Sequence, residues 1–131
     1  MTDPNSTERA RALVKTFYDG GARGEITGFA GSLSEDFELF VPPQLPWGGT
    51  FDKQQYIDLL PRVAEALDFA NMTYLSLTAE DEHVVALIEI GVQGTDTAII
   101  ISEHWDVRDG KAVRLRVAYF DPTPLLRQAA A

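Results

Sequence analysis

Two hydrophobic periods divide the chain. Up to about residue 70 apolar positions recur every three or four residues; from residue 72 they alternate. Ala10, Leu13, Val14 and Phe17 predict a helix over 6–20, opened by Asn5 and Glu8 at capping-box spacing and ended by Gly20-Gly21. Residues 25–33 suggest a short second helix, with Phe29, Leu33 and Phe37 packing on the first. Residues 37–41 read as a strand, ended by Pro42-Pro43, and the stiff stretch 42–49 as a loop. Asp52 caps the next helix, with Gln55 three residues on, and Tyr56, Leu59, Leu60, Val63 and Leu67 form its apolar stripe. Pro61 within it predicts a kink or a break.

Segments 72–79, 83–92, 97–107 and 111–121 read as strands separated by polar, glycine-bearing turns. Helices first and a meander afterwards means α+β with an antiparallel sheet, in one domain spanning 1–131 with loose tails at 1–4 and 128–131.

Alternation also assigns faces. Val113, Leu115, Val117, Tyr119 and Asp121 share one face of the last strand, leaving Arg114 and Arg116 outward. Ile99, Ile101, Glu103, Trp105 and Val107 share one face of the strand before it, and Val84, Ala86, Ile88, Ile90 and Val92 one face of 83–92. Glu103 and Asp121 are therefore acids on otherwise apolar faces. Burial raises a carboxyl's pKa and prepares it for acid–base work near neutrality. The competing readings are structural: an ion pair or hydrogen bond for Glu103, and a solvated strand end before Pro122 for Asp121. If Val107 opposes Val113, then Glu103 opposes Val117, and Asp121 lies roughly 13 Å further along the strand. The two acids then do not share a proton.

Composition narrows the field. The chain has 131 residues, a net charge of −9 and no cysteine, which removes thiolate chemistry and argues against nucleic-acid binding. No apolar run is long enough for a membrane helix, and the N-terminus lacks a signal-peptide pattern, so a soluble cytoplasmic protein is expected. Phosphate-binding loops and GxSxG are absent. His83 and His104 fall on the outward parity without metal-site spacing, so neither a metal nor a cofactor is expected. Tyr18 lies one place off the first helix's stripe and can direct a hydroxyl inward. Trp47, Tyr56, Tyr74, Trp105 and Tyr119 are further candidates to line a pocket, or to serve as plain core.

Several local patterns, in this order, carry a resemblance. They are Phe17-Tyr18 before a glycine-rich turn, Leu33-Ser34-Glu35-Asp36-Phe37, Trp47-Gly48-Gly49-Thr50-Phe51 before a capped helix, and above all Glu103-His104-Trp105-Asp106-Val107 followed by Tyr119-Phe120-Asp121. Over about 6–127 the chain resembles the nuclear-transport-factor-2-like superfamily, and within it the SnoaL-like, ketosteroid-isomerase-like proteins. The resemblance implies a cone-shaped fold (a cystatin-like α+β roll), a curved antiparallel sheet wrapped around the N-terminal helices. It also implies an internal pocket for a small apolar molecule and a homodimer through the sheet's outer face. It implies cofactor-free isomerase, cyclase, hydrolase or dehydratase chemistry on cyclic or polyketide-like substrates, or else a noncatalytic binding or dimerisation module. Asp121 matches the aspartate that is an acid/base residue in some SnoaL-like cyclases. Glu103 stands where relatives often have histidine. On this reading Asp121 moves a proton, Glu103 assists, and Tyr18 donates to developing oxyanion charge.

Overall fold

The change of period near residue 70 is where the chain passes from its two long helices to its four long strands. In the computed structural model, which describes residues 5–25 and 29–130, helix α1 (Ser6–Ala22) is followed by a short 3-10 turn at Ala30–Ser32, β1 (Leu33–Val41), β2 (Gly49–Asp52) and α2 (Lys53–Ala66). Then come β3 (Leu67–Glu80), β4 (His83–Val92), β5 (Ala98–Arg108), β6 (Lys111–Tyr119) and α3 (Thr123–Ala130). The strands form one curved, unclosed sheet in the order β2-β1-β6-β5-β4-β3. Neighbours are antiparallel except β1 and β6, which run parallel. The sheet is therefore mixed rather than wholly antiparallel, because the chain reaches β1 from the helices and the meander later returns to it.

The core lies between the sheet's inner face and the helices. Val84, Ala86, Ile88, Ile90 and Val92 alternate inward along β4 and are each at most 2% exposed. Burying a Val or Ile side chain stabilises by about 1.5–3 kcal/mol, so this one face contributes heavily to the fold. Val14 and Phe17 of α1, Val63 of α2 and Leu125 of α3 close over it.

Local chemistry sets most boundaries. Asp52 and Gln55 form the expected reciprocal capping box. Pro61 sits inside α2 without breaking it. Asp109 and Gly110 both have positive φ, as a tight two-residue hairpin demands, and they join β5 to β6. Asn5 forms no side-chain cap, and Glu8 pairs instead with Arg11. Helix α1 runs through Gly20 and Gly21 to Ala22, since glycine weakens a helix without forbidding it. Residues 1–4 and the centre of the suggested helix at 25–33 lie outside the described residues. The C-terminal stretch, expected loose from 128, is helical through Ala130.

The sheet departs from simple alternation at one place that matters. Trp105 opposes Leu115 and Glu103 opposes Val117, as expected. Val107, however, opposes Ala112, while Asp106 opposes Arg114, leaving Val113 as the extra residue of a bulge. Ala112 is consequently fully buried. Val113, expected to face inward, lines a polar cleft on the outside with His83, Asp106 and Arg114. Among the described residues no helix is long and apolar enough to cross a membrane.

Candidate functional site

Ala86 of β4 and Val117 of β6 flank Glu103 across the sheet. A cavity of about 80 Å³ opens over the inner face beside Glu103 and Val117. Its floor includes Glu103, Trp105, Leu115, Val117 and Tyr119 of β5 and β6, with Leu39 and Val41 of β1 beside them. Phe17, Tyr18 and Gly21 come from α1, and Tyr56, Leu59, Leu60 and Val63 from α2. Phe29, Trp47 and Phe69 complete the wall. Glu103 is the one carboxyl among the residues lining the cavity, and no Asp, Lys, Arg or His lines it with Glu103.

Trp47 is held from two sides. A side chain at Gly48 would place its Cβ 2.4 Å from the Pro42 carbonyl oxygen, so the tight turn beneath Trp47 requires glycine. Arg62 of α2 donates to the Pro46 carbonyl at 3.0 Å and lies over the Trp47 ring.

Three side chains make a directed hydrogen-bond chain at the cavity wall. The Trp105 indole N–H donates to the Tyr18 hydroxyl at 2.9 Å. Tyr18 in turn donates to Glu103 Oε1 at 2.5 Å. Burial pushes the Glu103 carboxyl above the usual carboxylate range, and the Tyr18 hydrogen bond pulls it part of the way back. The Tyr18 hydroxyl is held far above its ordinary value by burial first and by the Glu103 charge second, so it keeps its proton. Glu103 is half-buried and lines the cavity.

Two more tyrosines face the same carboxylate. Burial, then the Glu103 charge, raises both Tyr56 and Tyr119. A hydrogen bond with Trp47 lowers Tyr119 in part. The indole N–H can only donate, so Trp47 does not take the Tyr119 proton. Neither the Tyr56 nor the Tyr119 proton goes to a protein acceptor in the hydrogen bonds of the described residues. The cavity is thus apolar with one polar pole, made of a carboxyl with raised proton affinity and three phenols.

Of the residues singled out from the sequence, Glu103, Tyr18, Trp47, Tyr56, Trp105 and Tyr119 meet at this cavity. Tyr74 does not line it; it packs edge-on against Tyr18 with centroids 5.7 Å apart, and burial with the Asp19 charge pushes its hydroxyl up to about 12. Asp121 is not there either. It lies beyond the end of β6, exposed, and its Oδ1 accepts from the Thr123 N–H and hydroxyl at 3.1 and 2.7 Å, which hold its carboxyl below the usual range. Parity put it on the inner face, but the ladder ends at Tyr119, and past the ladder parity no longer points anywhere. Tyr18 is also placed differently from its expected role, since its only proton is already given to Glu103. Phe29 and Phe69 were missed as lining residues. Phe69 lies in the first part of β3, where register shifts hide the alternation.

No protein-family model and no curated protein matches this sequence. Solved structures do. An NTF2-like protein from Burkholderia xenovorans LB400 aligns over 93% of this chain and 96% of its own, at 24% identity and a TM-score of 0.73. A putative ketosteroid isomerase from Kribbella flavida aligns over 88% and 81%, at 19% identity and a TM-score of 0.73. TerC, co-crystallised with polyporic acid, aligns over 94% and 99%, at 20% identity and a TM-score of 0.76. Together with the curved mixed sheet and the helices on its inner face, these likenesses establish that the chain has the nuclear-transport-factor-2-like fold.

Proposed function

We propose that this chain binds a compact apolar cyclic or polyketide-like molecule and moves a proton on it without a cofactor, with Glu103 as the acid–base group. The observation that carries the reading is the single enclosed carboxyl in an aromatic cavity, its proton affinity raised by burial and one oxygen already held by Tyr18. Its second oxygen is the one left to take a proton from a carbon beside a carbonyl. The Tyr56 and Tyr119 hydroxyls would donate to the oxygen on which charge develops, and return of the proton elsewhere would complete an isomerisation or ring closure. Fold alone does not assign such a reaction. A neighbour described as a ketosteroid isomerase and another crystallised with polyporic acid make it a fitting one to test.

The cavity volume, about 80 Å³, is well below that of ordinary drug-sized sites, which favours a single-ring ligand. The test uses cyclohex-3-en-1-one in D₂O, followed by NMR for deuterium exchange beside the carbonyl and by absorbance for the conjugated product. Exchange above buffer that disappears in Glu103→Gln supports the reading. Absence of both exchange and thermal protection by the ketone overturns it. A second reading, binding without chemistry, is favoured by the self-contained Trp105–Tyr18–Glu103 chain; it predicts protection without exchange. A homodimer belongs to the same proposal, with a second copy on the outer face, and exposed Phe120 offers the probe. Sedimentation of Phe120→Asp against the parent chain tests it.

A further inference from the structure

We propose that Trp105 is a positioning residue: by donating to the Tyr18 hydroxyl, its indole N–H forces the Tyr18 proton onto Glu103 Oε1 and so reserves Oε2 for the ligand. This rests on the proposed role of Glu103 and adds to it a choice between the two carboxylate oxygens.

The argument needs only donor and acceptor counts. An indole nitrogen carries one hydrogen and accepts nothing. At 2.9 Å from the Tyr18 oxygen it makes that oxygen an acceptor. Tyr18 has one proton, and its other neighbour at hydrogen-bond distance is Glu103 Oε1, at 2.5 Å. The chain therefore runs in one direction only, from Trp105 to Tyr18 to Glu103. Whether Glu103 is ionised or neutral, Oε1 accepts; when the carboxyl is neutral, its proton sits on Oε2. Without the indole N–H, the Tyr18 hydroxyl could turn and accept from a neutral Glu103, and the two oxygens would become equivalent.

Packing keeps the chain in place. Trp105 is 2% exposed. Its ring lies 5.0 Å from Phe17 and 6.4 Å from Phe37, and it meets Tyr18 edge-on at 6.2 Å. Trp105 and Glu103 also share a strand face, two residues apart on β5. The groups facing Glu103 from the packed elements are Tyr18 of α1, Tyr56 of α2 and Tyr119 of β6, and no charged side chain joins them at the cavity. The direction of the Tyr18 hydrogen bond is consequently a main control on this carboxyl. Donation onto the carboxylate favours the charged form. A hydroxyl polarised by an N–H behind it donates more strongly. Both effects vanish with the N–H, and both losses favour the neutral form.

The test is the titration of Glu103 followed by carbonyl-region NMR of ¹³C-labelled full-length protein, with no ligand present. Trp105→Phe is expected to increase the proton affinity of Glu103 by roughly twofold to tenfold. Because that change also removes ring volume, 3-benzothienylalanine is placed at position 105 in a second variant; it keeps the bicyclic shape and lacks the N–H. The same increase is expected there. In a Tyr18→Phe background neither replacement should move the titration further, since the relay is already cut. An unchanged titration in the benzothienyl variant overturns the proposal, as does an equal change with and without Tyr18. These readouts need no substrate, so they stand apart from any failure of ketone binding or exchange.

Discussion

Glu103 and Asp121 carry the same functional group, yet their surroundings are opposite. Glu103 sits in the middle of a strand whose neighbours continue on both sides, so its side chain is delivered to the interior. Burial raises its carboxyl, and only one hydrogen bond offsets that. Asp121 sits two residues past the end of β6, exposed, where Thr123 satisfies it and lowers its carboxyl. The difference shows that alternation assigns a face only while a ladder holds the strand flat. It also shows that an acid on an apolar pattern is a candidate for chemistry only if neighbours on both sides keep water from it.

The largest expected effect tests the ladder itself. Ala112→Asp places an unpaired carboxylate in the closed core and should cost upwards of about 3 kcal/mol in urea unfolding, whereas Val113→Asp, on the outer cleft, should stay within about 1 kcal/mol. If the two cost the same, the bulge is misplaced and the inner face must be reassigned. Next comes chemistry. Glu103→Gln should lower ketone exchange by about 10²-fold or more, the usual scale for losing an acid–base group. Asp121→Asn should leave the rate within about twofold, because nothing connects it to the cavity. Equal losses in both would restore Asp121 to the site.

The pH dependence should separate the acids without any substrate. The raised Glu103 pKa means that the folded state holds its proton longer than the unfolded one. Its contribution is full below the unfolded value of 4.5 and is lost as pH rises through the higher folded value. Thermal melts should therefore show Glu103→Gln more stable than the parent chain at pH 8, with the two converging near pH 4. Asp121 runs the other way. Its carboxyl is lowered from 3.8, so its contribution is present above that value and is lost as pH falls through the lower folded value. Asp121→Ala should show the smallest change of all, a slight drop in melting temperature at neutral pH that disappears in acid.

Much of the candidate site could be seen before folding. The motif from Glu103 to Val107 put a carboxyl and an indole on one face at a spacing of two, and the β5–β6 hairpin set Glu103 against Val117. Trp47 and Tyr56 stood out as aromatics beside a stiff loop and a capped helix. What escaped were features with no local signature. The parallel pairing of β1 with β6 joins segments some 75 residues apart in the chain. The bulge at Val113 depends on how two strands meet, and a single strand's pattern does not reveal it. The link from Tyr18 to Trp105 and Glu103 joins residues 85 or more positions apart, across a helix and a sheet.

By itself, then, the order of residues determined the two long helices, the four long strands, their tight turns and the acids worth considering, but not the C-terminal helix α3. These follow from periodicity, capping and turn geometry, all of which act over a few residues. Only the tertiary structure decided which acid is enclosed, which tyrosine has a proton to offer a ligand, and which way the hydrogen-bond chain runs. Those properties depend on how much water is excluded and on which donor meets which acceptor across the cavity. Both depend on distance in space, and the chain sets that distance only when the sheet has curved and the helices have closed over it.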